Sequence, residues 1–294
     1  FTDGLPRALG HASKPGTRNA PSLMNVAYAT SLFWDGRARD LAAQARAPFT
    51  NPVEHALPDN DALVAIVQTD AVYVRDFAAA FPERKTLQME SITDALLAYE
   101  RTLLAGGSAF DRSFYGKDAA AMSPAAVRGL ELFGGRAKCV ACHPIGREHS
   151  LFTDQAFHVA ARGLPGAVTR ALAELAQRVV AAKGAPETAE LERLIATDEN
   201  VAALGRFVVT LDPADMGKFK TPSLRNVALT APYMHDGSVR TLDEALDLEL
   251  YSRGAVAYPI VVTRSQQADL LAFLAALSSP STPSARRNPG PSDP

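Results

Sequence analysis

The chain has 294 residues, of which 47% are hydrophobic and 21% are charged, and its formal net charge is −2 at pH 7. This length favours two domains, and the near-neutral charge argues against a nucleic-acid partner or a polybasic membrane surface. No apolar run approaches the roughly 20 residues that a membrane-spanning helix needs, so we expect no membrane span.

Helix-like apolar spacing recurs along the chain, and strand signals are few. The chain starts at Phe1 without a methionine, in a turn-like Phe1-Thr2-Asp3-Gly4, as if a preceding segment had been removed. Residues 167–204 are rich in good helix formers and predict a pair of surface helices. The segment 280–294 is rich in Ser, Pro and Arg and predicts a disordered tail. Other helices are predicted over 61–79, 91–104, 124–133, 242–252 and 265–277.

An internal repeat relates the two halves of the chain. Residues 21–41 align without a gap on residues 222–242, with ten of the 21 positions identical. A shorter match places Phe1-Thr2-Asp3 on Phe152-Thr153-Asp154, so the second half carries an insertion between its two matching blocks. That insertion coincides with the helical stretch 167–204. The sequence therefore predicts two homologous halves.

The only two cysteines form the motif Cys139-Val140-Ala141-Cys142-His143. Two thiols at this spacing can form thioethers to haem vinyl groups while the adjacent imidazole binds the iron. The alternatives are a disulfide, a thioredoxin-like redox pair and half of a zinc site. Covalent haem attachment takes place outside the bacterial cytoplasmic membrane, so a periplasmic location is expected. By the repeat, a first such motif would fall just upstream of Phe1, which predicts a parent protein with two haems.

At these residues the chain resembles the bacterial di-haem cytochrome c peroxidase and MauG family, over nearly its whole length. The resemblance implies an all-α, loop-rich fold of two cytochrome c-like haem domains related by the internal repeat. An N-terminal peroxidatic domain lacking its CxxCH motif would span 1–120, and a C-terminal electron-transfer domain would span 121–279. The motifs that carry the likeness, besides 139–143, are 1–4, 18–23, 33–38, 51–54, 219–226 and 231–237.

The resemblance assigns catalytic roles to three residues. His11 matches the histidine that can cap the peroxidatic iron, or is a solvent-exposed loop histidine. Glu54 matches the distal carboxylate, which can move a proton between the peroxide oxygens, or is an exposed loop acid. Trp34 matches the tryptophan between the two haems, or is a packing aromatic.

Metal ligands are implied in the same way. Asn19, Thr230 and Pro232 match the ligands of a calcium ion at the domain junction, a cation that prefers oxygen donors. The sixth ligand of the His143 haem is where the chain departs from the family pattern, because the expected position falls on Glu249.

A two-residue insertion would instead place Tyr251 at that ligand position. Met234 and Met216 remain alternatives, although methionines at such positions are more often packing residues. The choice affects function, because a thioether raises the iron potential and a phenolate stabilises oxidised states.

The predicted activity is reduction of hydrogen peroxide, with electrons from a small cytochrome c or cupredoxin relayed through the C-terminal haem c. One alternative is MauG-like oxidation of side chains on a partner protein. The other is a single-haem electron carrier without enzymatic activity. The resemblance is also compatible with a homodimer.

Overall fold

The computed structural model describes residues 2–161, 164–184, 189–252 and 260–280. The described chain is helical and rich in loops, as predicted, and its two short strands pair antiparallel. Within these ranges no helix combines the length and the apolarity needed to cross a bilayer. The helices are α1 Leu41–Thr50, α2 Asn60–Gln68, α3 Ala71–Ala80, α4 Met89–Glu100, α5 Ala109–Phe114, α6 Pro124–Gly134, α7 Gly166–Arg170, α8 Leu172–Gly184, α9 Ala189–Thr197, α10 Glu199–Ala202, α11 Phe207–Thr210, α12 Leu242–Tyr251 and α13 Arg264–Ala276; the strands are β1 Phe157–Val159 and β2 Lys218–Lys220.

Side-chain caps set where most of these helices begin. Thr241 and Thr263 each form a capping box that starts α12 and α13 close to the predicted positions. The single helix predicted over 61–79 is wrong, because the chain breaks between α2 and α3. There Asp70 leaves the helical conformation and its carboxylate accepts a hydrogen bond from the backbone N–H of Val72.

The largest apolar core lies in the C-terminal part of the chain, where α6 crosses α13. At the crossing, a Cβ added to Gly129 would lie 2.0 Å from the carbonyl oxygen of Asp269, so only glycine allows this close approach. Phe110 of α5 belongs to the same core, although the predicted domain boundary lies later, at 120–121. The fully buried aromatic residues of this core are Phe110, Phe133, Phe152 and Phe273.

The helical insertion has a core of its own, and we call residues 164–211 the insert. The prediction of two surface helices over 167–204 is wrong, because the described part of that range contains four helices, α7 to α10. Together with α11 they surround a separate cluster of buried side chains. The buried residues include Val168, Val179, Ile195, Val201 and Val208, one from each helix. Residues 162–163 and 185–188, and the predicted tail from 281 onward, lie outside the described ranges.

The two blocks that share ten identities have the same backbone course. We call residues 32–38 the first turn and residues 233–239 the second turn. Each is closed by an antiparallel bridge between its ends, and each is followed by a helix, α1 or α12. Asn25 and Asn226, seven residues before the closing bridges, both adopt left-handed backbone angles, with φ of 59° and 60°. Such angles favour asparagine and glycine over other residues, which explains the identity at this aligned position.

Candidate haem sites

The attachment motif forms a tight turn against the C-terminal core. Cys139 to Ala141 make one 3-10 turn, and the backbone N–H of His143 donates to the carbonyl oxygen of Cys139 at 2.9 Å. Cys139 and Val140 pack against the apolar cluster described above. The two cysteines do not form a disulfide. The turn therefore presents two thiols and an imidazole on an apolar surface, which suits a c-type haem.

The ring of His143 is oriented by a backbone carbonyl. Its Nδ1 lies 2.7 Å from the carbonyl oxygen of Phe152, and since a carbonyl can only accept, Nδ1 carries the proton. The lone pair that binds iron is then on Nε2. A hydrogen bond of this kind to the second ring nitrogen is the usual way in which a metal-binding histidine is held in place.

A second group of potential metal ligands lies beside the motif. Cys142, Asp154 and His158 place ligand atoms within 4.8 Å of one another, and the imidazole of His158 is 2.7 Å from the Asp154 carboxylate. A structural zinc site has four ligands, and this group, which does not include His143, supplies three. The geometry of the motif fits haem attachment better than the zinc alternative.

Two cavities lie on either side of a shared wall. The N-terminal cavity, of about 520 Å³, is lined by Glu54, Arg37 and Gln44 among others. The junction cavity, of about 220 Å³, lies between the two halves and is lined by Leu224 and Tyr233 among others. The residues that line both cavities are Asn19, Ala20, Pro21, Ser22, Val26, Leu32, Phe33 and Trp34.

Trp34 is fixed in this wall by reciprocal contacts between the two halves. Its indole N–H donates to the carbonyl oxygen of Asn19 at 2.9 Å. Its own carbonyl oxygen accepts from the N–H of Lys220 at 2.8 Å, and the carbonyl oxygen of His235 accepts from the N–H of Asn19 at 2.9 Å. The imidazole of His235 stacks on Phe219 with 3.7 Å between ring centroids. The two turns therefore exchange equivalent backbone bonds across the junction.

Glu54 is an acidic residue of the N-terminal cavity, which Asp3 also lines. Its carboxylate accepts a hydrogen bond from the side-chain amide of Asn51 at 3.0 Å. Burial raises the pKa of the Glu54 carboxyl, and the nearby positive charge of Arg37 only partly offsets this effect. A raised pKa suits a carboxyl group to proton exchange, because its basicity moves towards the operating pH.

The backbone of His11, rather than its side chain, contacts Glu54. The N–H of His11 donates to the carbonyl oxygens of Val53 and Glu54, at 2.9 and 2.6 Å. The residue is exposed and is not among those that line the N-terminal cavity. Its predicted role as an iron cap stays a prediction.

A buried carboxylate supports the first turn. Asp35 is fully buried, and its carboxylate accepts from Arg18 at 2.5 Å and from Arg37 at 3.1 Å. Burial alone would raise the pKa of Asp35, but the positive charges of Arg37 and Arg18 outweigh it and lower the pKa to about 2. Arg206 also donates to the carbonyl oxygens of Asp35 and Gly36. The carboxylate is therefore ionised at neutral pH.

The residues predicted to bind calcium line the same cavity. Asn19, Thr230 and Pro232 all line the junction cavity. The side-chain amide of Asn19 donates through Nδ2 to the carbonyl oxygen of Leu5 at 2.8 Å, which leaves Oδ1 as its oxygen donor. Carbonyl and amide oxygens of this kind suit calcium.

The candidate sixth ligands have different surroundings. Met234 lines the junction cavity. Met216 packs against the core of the insert. Tyr251 is 44% exposed at the end of α12, just before residues 253–259, which lie outside the described ranges. Ligation by Tyr251 therefore stays a prediction.

Sequence reasoning missed three groups that line the cavities. Arg37 and Gln44 face the N-terminal cavity with Glu54, and Lys220 lines the junction cavity. Burial lowers the pKa of the Lys220 ammonium to about 8, and this group donates to the carbonyl oxygen of Ser31. Gln44 lies between the motifs 33–38 and 51–54. That position in the chain was the sequence feature that could have indicated a cavity residue.

Comparisons with known proteins show which family the chain is similar to. The family model for di-haem cytochrome c peroxidase matches residues 1–119. MauG, the methylamine utilization protein of Methylorubrum extorquens, is 32% identical over 283 residues, covering 94% of this chain and 69% of MauG. The cytochrome c peroxidase Ccp of Escherichia coli is 31% identical over 281 residues, and the chain spans only 52% of its length.

Solved structures give the same result. A MauG-like protein associated with microbial copper homeostasis is 31% identical, with a TM-score of 0.69 over 95% of this chain and 80% of that protein. The di-haem peroxidase BthA from Burkholderia thailandensis shares the fold, with a TM-score of 0.64 over 94% of this chain and 76% of BthA, at 24% identity.

Proposed function

This chain belongs to the di-haem cytochrome c peroxidase and MauG family, and on that premise we propose that it is part of an enzyme that reduces hydrogen peroxide in the N-terminal cavity. The observation that supports this most directly is the placement of Glu54 and Trp34. Both line the N-terminal cavity, and Trp34 also lines the junction cavity. A proton-transfer group and an aromatic bridge thus share one chamber.

Cys139, Cys142 and His143 would hold a c-type haem, which supplies a redox-active iron when bound. The repeat predicts a second haem for the N-terminal cavity, attached through a motif upstream of Phe1. A bound haem fits the apolar surface around the motif and the hydrogen bond that fixes the His143 ring.

Glu54 acts on the proton of the bound peroxide. It takes a proton from one peroxide oxygen and delivers it to the other, which becomes the leaving oxygen. The raised pKa of the Glu54 carboxyl brings its basicity closer to neutrality, where such transfer is most efficient. Asn51 holds the carboxylate in place.

Trp34 connects the two cavities. We infer that electrons from a reduced small cytochrome c or cupredoxin enter near the His143 motif and cross the wall through the indole. The backbone bonds that join Trp34 to Lys220 and His235 to Asn19 keep this wall rigid. A calcium ion held by Asn19, Thr230 and Pro232 would stabilise the same junction, and covalent haem attachment implies the periplasm.

The test is a haem count followed by turnover, both on the full-length secreted protein. Pyridine haemochrome analysis should give two haems per chain, and a reduced small cytochrome should be oxidised upon peroxide addition. Replacing Glu54 with Gln should slow the peroxide step. A single haem that does not react with peroxide would contradict the proposal and leave an electron carrier.

MauG-like oxidation of a partner protein is the second candidate. It is favoured by the relatives MauG and the MauG-like copper-homeostasis protein, and by the tyrosine at the end of α12. We infer that Tyr251 binds the His143 haem in that case. A long-lived oxidised spectrum after peroxide, with no methionine-to-iron band, would favour this function over turnover of a reduced cytochrome.

A further inference from the structure

The insert forms part of the N-terminal cavity rather than a separate surface layer. Ile195 and Ala196 of α9 line that cavity. The Thr17 hydroxyl donates to the carbonyl oxygen of Ile195 at 2.7 Å, and Arg18 donates to the carbonyl oxygen of Ala202 at 2.7 Å. Helix α9 is therefore one wall of the chamber that contains Glu54.

One carboxylate of this wall holds the guanidinium of Arg37. The Nε of Arg37 lies 3.2 and 3.0 Å from the two carboxylate oxygens of Glu192 on α9. Its Nη1 donates to Asp35, and its guanidinium carbon lies 3.6 Å from the ring centroid of Phe33. The Arg37 side chain is only 14% exposed. Three groups thus fix the orientation of this cation beside the cavity.

The second turn has no such cation. Ser238 occupies the position that matches Arg37, and its hydroxyl donates to Asp236 at 2.7 Å. The backbone of the turn therefore does not require an arginine. The pair of Arg37 and Glu192 therefore distinguishes the first turn from the second turn.

We propose that Glu192, supplied by the insert, is a positioning residue that holds the Arg37 guanidinium at the wall of the peroxide cavity beside Glu54. The proposal rests on the proposed function. Without the Glu192 carboxylate, Nε loses its partner, and the guanidinium becomes able to turn towards the Glu54 carboxylate. An ion pair with Arg37 would then engage the Glu54 carboxylate. That carboxylate must be free to exchange a proton with peroxide.

The experiment compares two substitutions on the same helix of the full-length haem-loaded protein. Glu192→Gln removes the charge that holds Arg37. Glu190→Gln is the matched control, because the Glu190 side chain is about as exposed as that of Glu192, 43% against 40%, but pairs with Arg193 at 2.6 Å. Stopped-flow mixing measures the second-order rate constant with hydrogen peroxide. Reduction of the His143 haem by a donor serves as an internal reference.

We expect Glu192→Gln to lower the peroxide rate constant by about tenfold or more, since small misplacements of active groups cost up to about 100-fold. Glu190→Gln should stay within about twofold of the unsubstituted protein, because most surface substitutions have small effects. Glu192→Asp keeps the charge and should lose less than Glu192→Gln. Donor reduction of the His143 haem should be unchanged in all three.

A double-mutant cycle tests whether the two side chains act as a unit. Arg37→Lys removes the Nε–H that contacts Glu192, and combining it with Glu192→Gln should slow the peroxide step no further than the more damaging single change. Independent effects that multiply would overturn the proposal. So would a Glu192→Gln variant that matches Glu190→Gln.

Failure of the proposed function can be distinguished from failure of the positioning role of Glu192. If the unsubstituted protein does not react with peroxide, hydrogen exchange of the first turn still reports on positioning. Its amides should exchange faster in Glu192→Gln than in Glu190→Gln, at equal resistance to urea. Equal exchange would overturn the positioning role whatever the activity.

Discussion

The first turn, residues 32–38, and the second turn, residues 233–239, share a backbone but differ in chemistry. Trp34 stands where the second turn has His235, and Arg37 stands where it has Ser238. Asp35 is fully buried between arginines, whereas the matching Asp236 is partly exposed. The shared glycine, Gly36 or Gly237, has a positive φ in both turns. Of the positions that differ, Trp34 and Arg37 line the N-terminal cavity, whereas His235 and Ser238 are not among the residues that line either cavity. The two turns therefore present different side chains on a similar backbone.

The largest expected difference between the turns is in stability. Asp35→Asn should lower the free energy of unfolding by about 3–5 kcal/mol, because it removes the buried carboxylate that Arg18 pairs with and leaves Arg37 only Glu192. Asp236→Asn, at the matching position, should cost about 1 kcal/mol or less. Urea denaturation of the full-length protein measures both. Equal losses of unfolding free energy in the two variants would show that the burial of Asp35 does not make it more important for stability than Asp236.

The next prediction concerns activity. Glu54→Gln should lower the rate constant for peroxide by about 100-fold or more, because general acid–base catalysis contributes at least this factor. The matched control is Glu100→Gln. Burial also raises the pKa of Glu100, but this residue is not among those that line either cavity. A similar loss of the peroxide rate constant in both variants would show that Glu54 has no catalytic role.

The pH dependence of stability should also reveal the buried carboxylate of the first turn. The folded pKa of Asp35, about 2, lies below the ordinary value of 3.8, so its contribution is complete above about pH 4 and is lost as the pH falls towards 2. This contribution amounts to about 2 kcal/mol. The stability gap between the unsubstituted protein and Asp35→Asn should narrow over that range. A gap that is constant with pH would contradict the assigned ionisation.

The smallest expected difference concerns the two left-handed asparagines. The side chain of Asn25 makes two hydrogen bonds to the backbone of Ala105, whereas that of Asn226 accepts one from the backbone of Ser279. Replacing each by Ala incurs the same backbone strain, so the costs should differ by about 1 kcal/mol, the net value of one hydrogen bond. Thermal or urea unfolding of both variants measures the difference. A larger loss at Asn226 would contradict this assignment.

Local signals in the sequence predicted much of the helical structure. Helices α6, α12 and α13 lie close to the predicted ranges, because proline or capping residues mark their starts. The break between α2 and α3 was missed, since Asp70 fits the polar face of one long helix as well as it caps a second. Periodicity alone does not distinguish the two cases.

The insert shows where the sequence was insufficient. Its composition predicted helices but not their core, nor the wall that α9 adds to the N-terminal cavity. The ion pair between Arg37 and Glu192 joins residues far apart in the chain. No local pattern encodes such a contact.

The sequence by itself indicated the family and the predicted haem attachment motif and aligned the two turns, because each depends on residues that are close together in the chain. The tertiary structure decided which side chains share a cavity: Glu54 with Trp34 and Arg37, and Arg37 with Glu192. That placement depends on how the insert packs against the first turn. Packing of this kind follows from the shape of two folded surfaces, and neither surface exists until its own helices have formed.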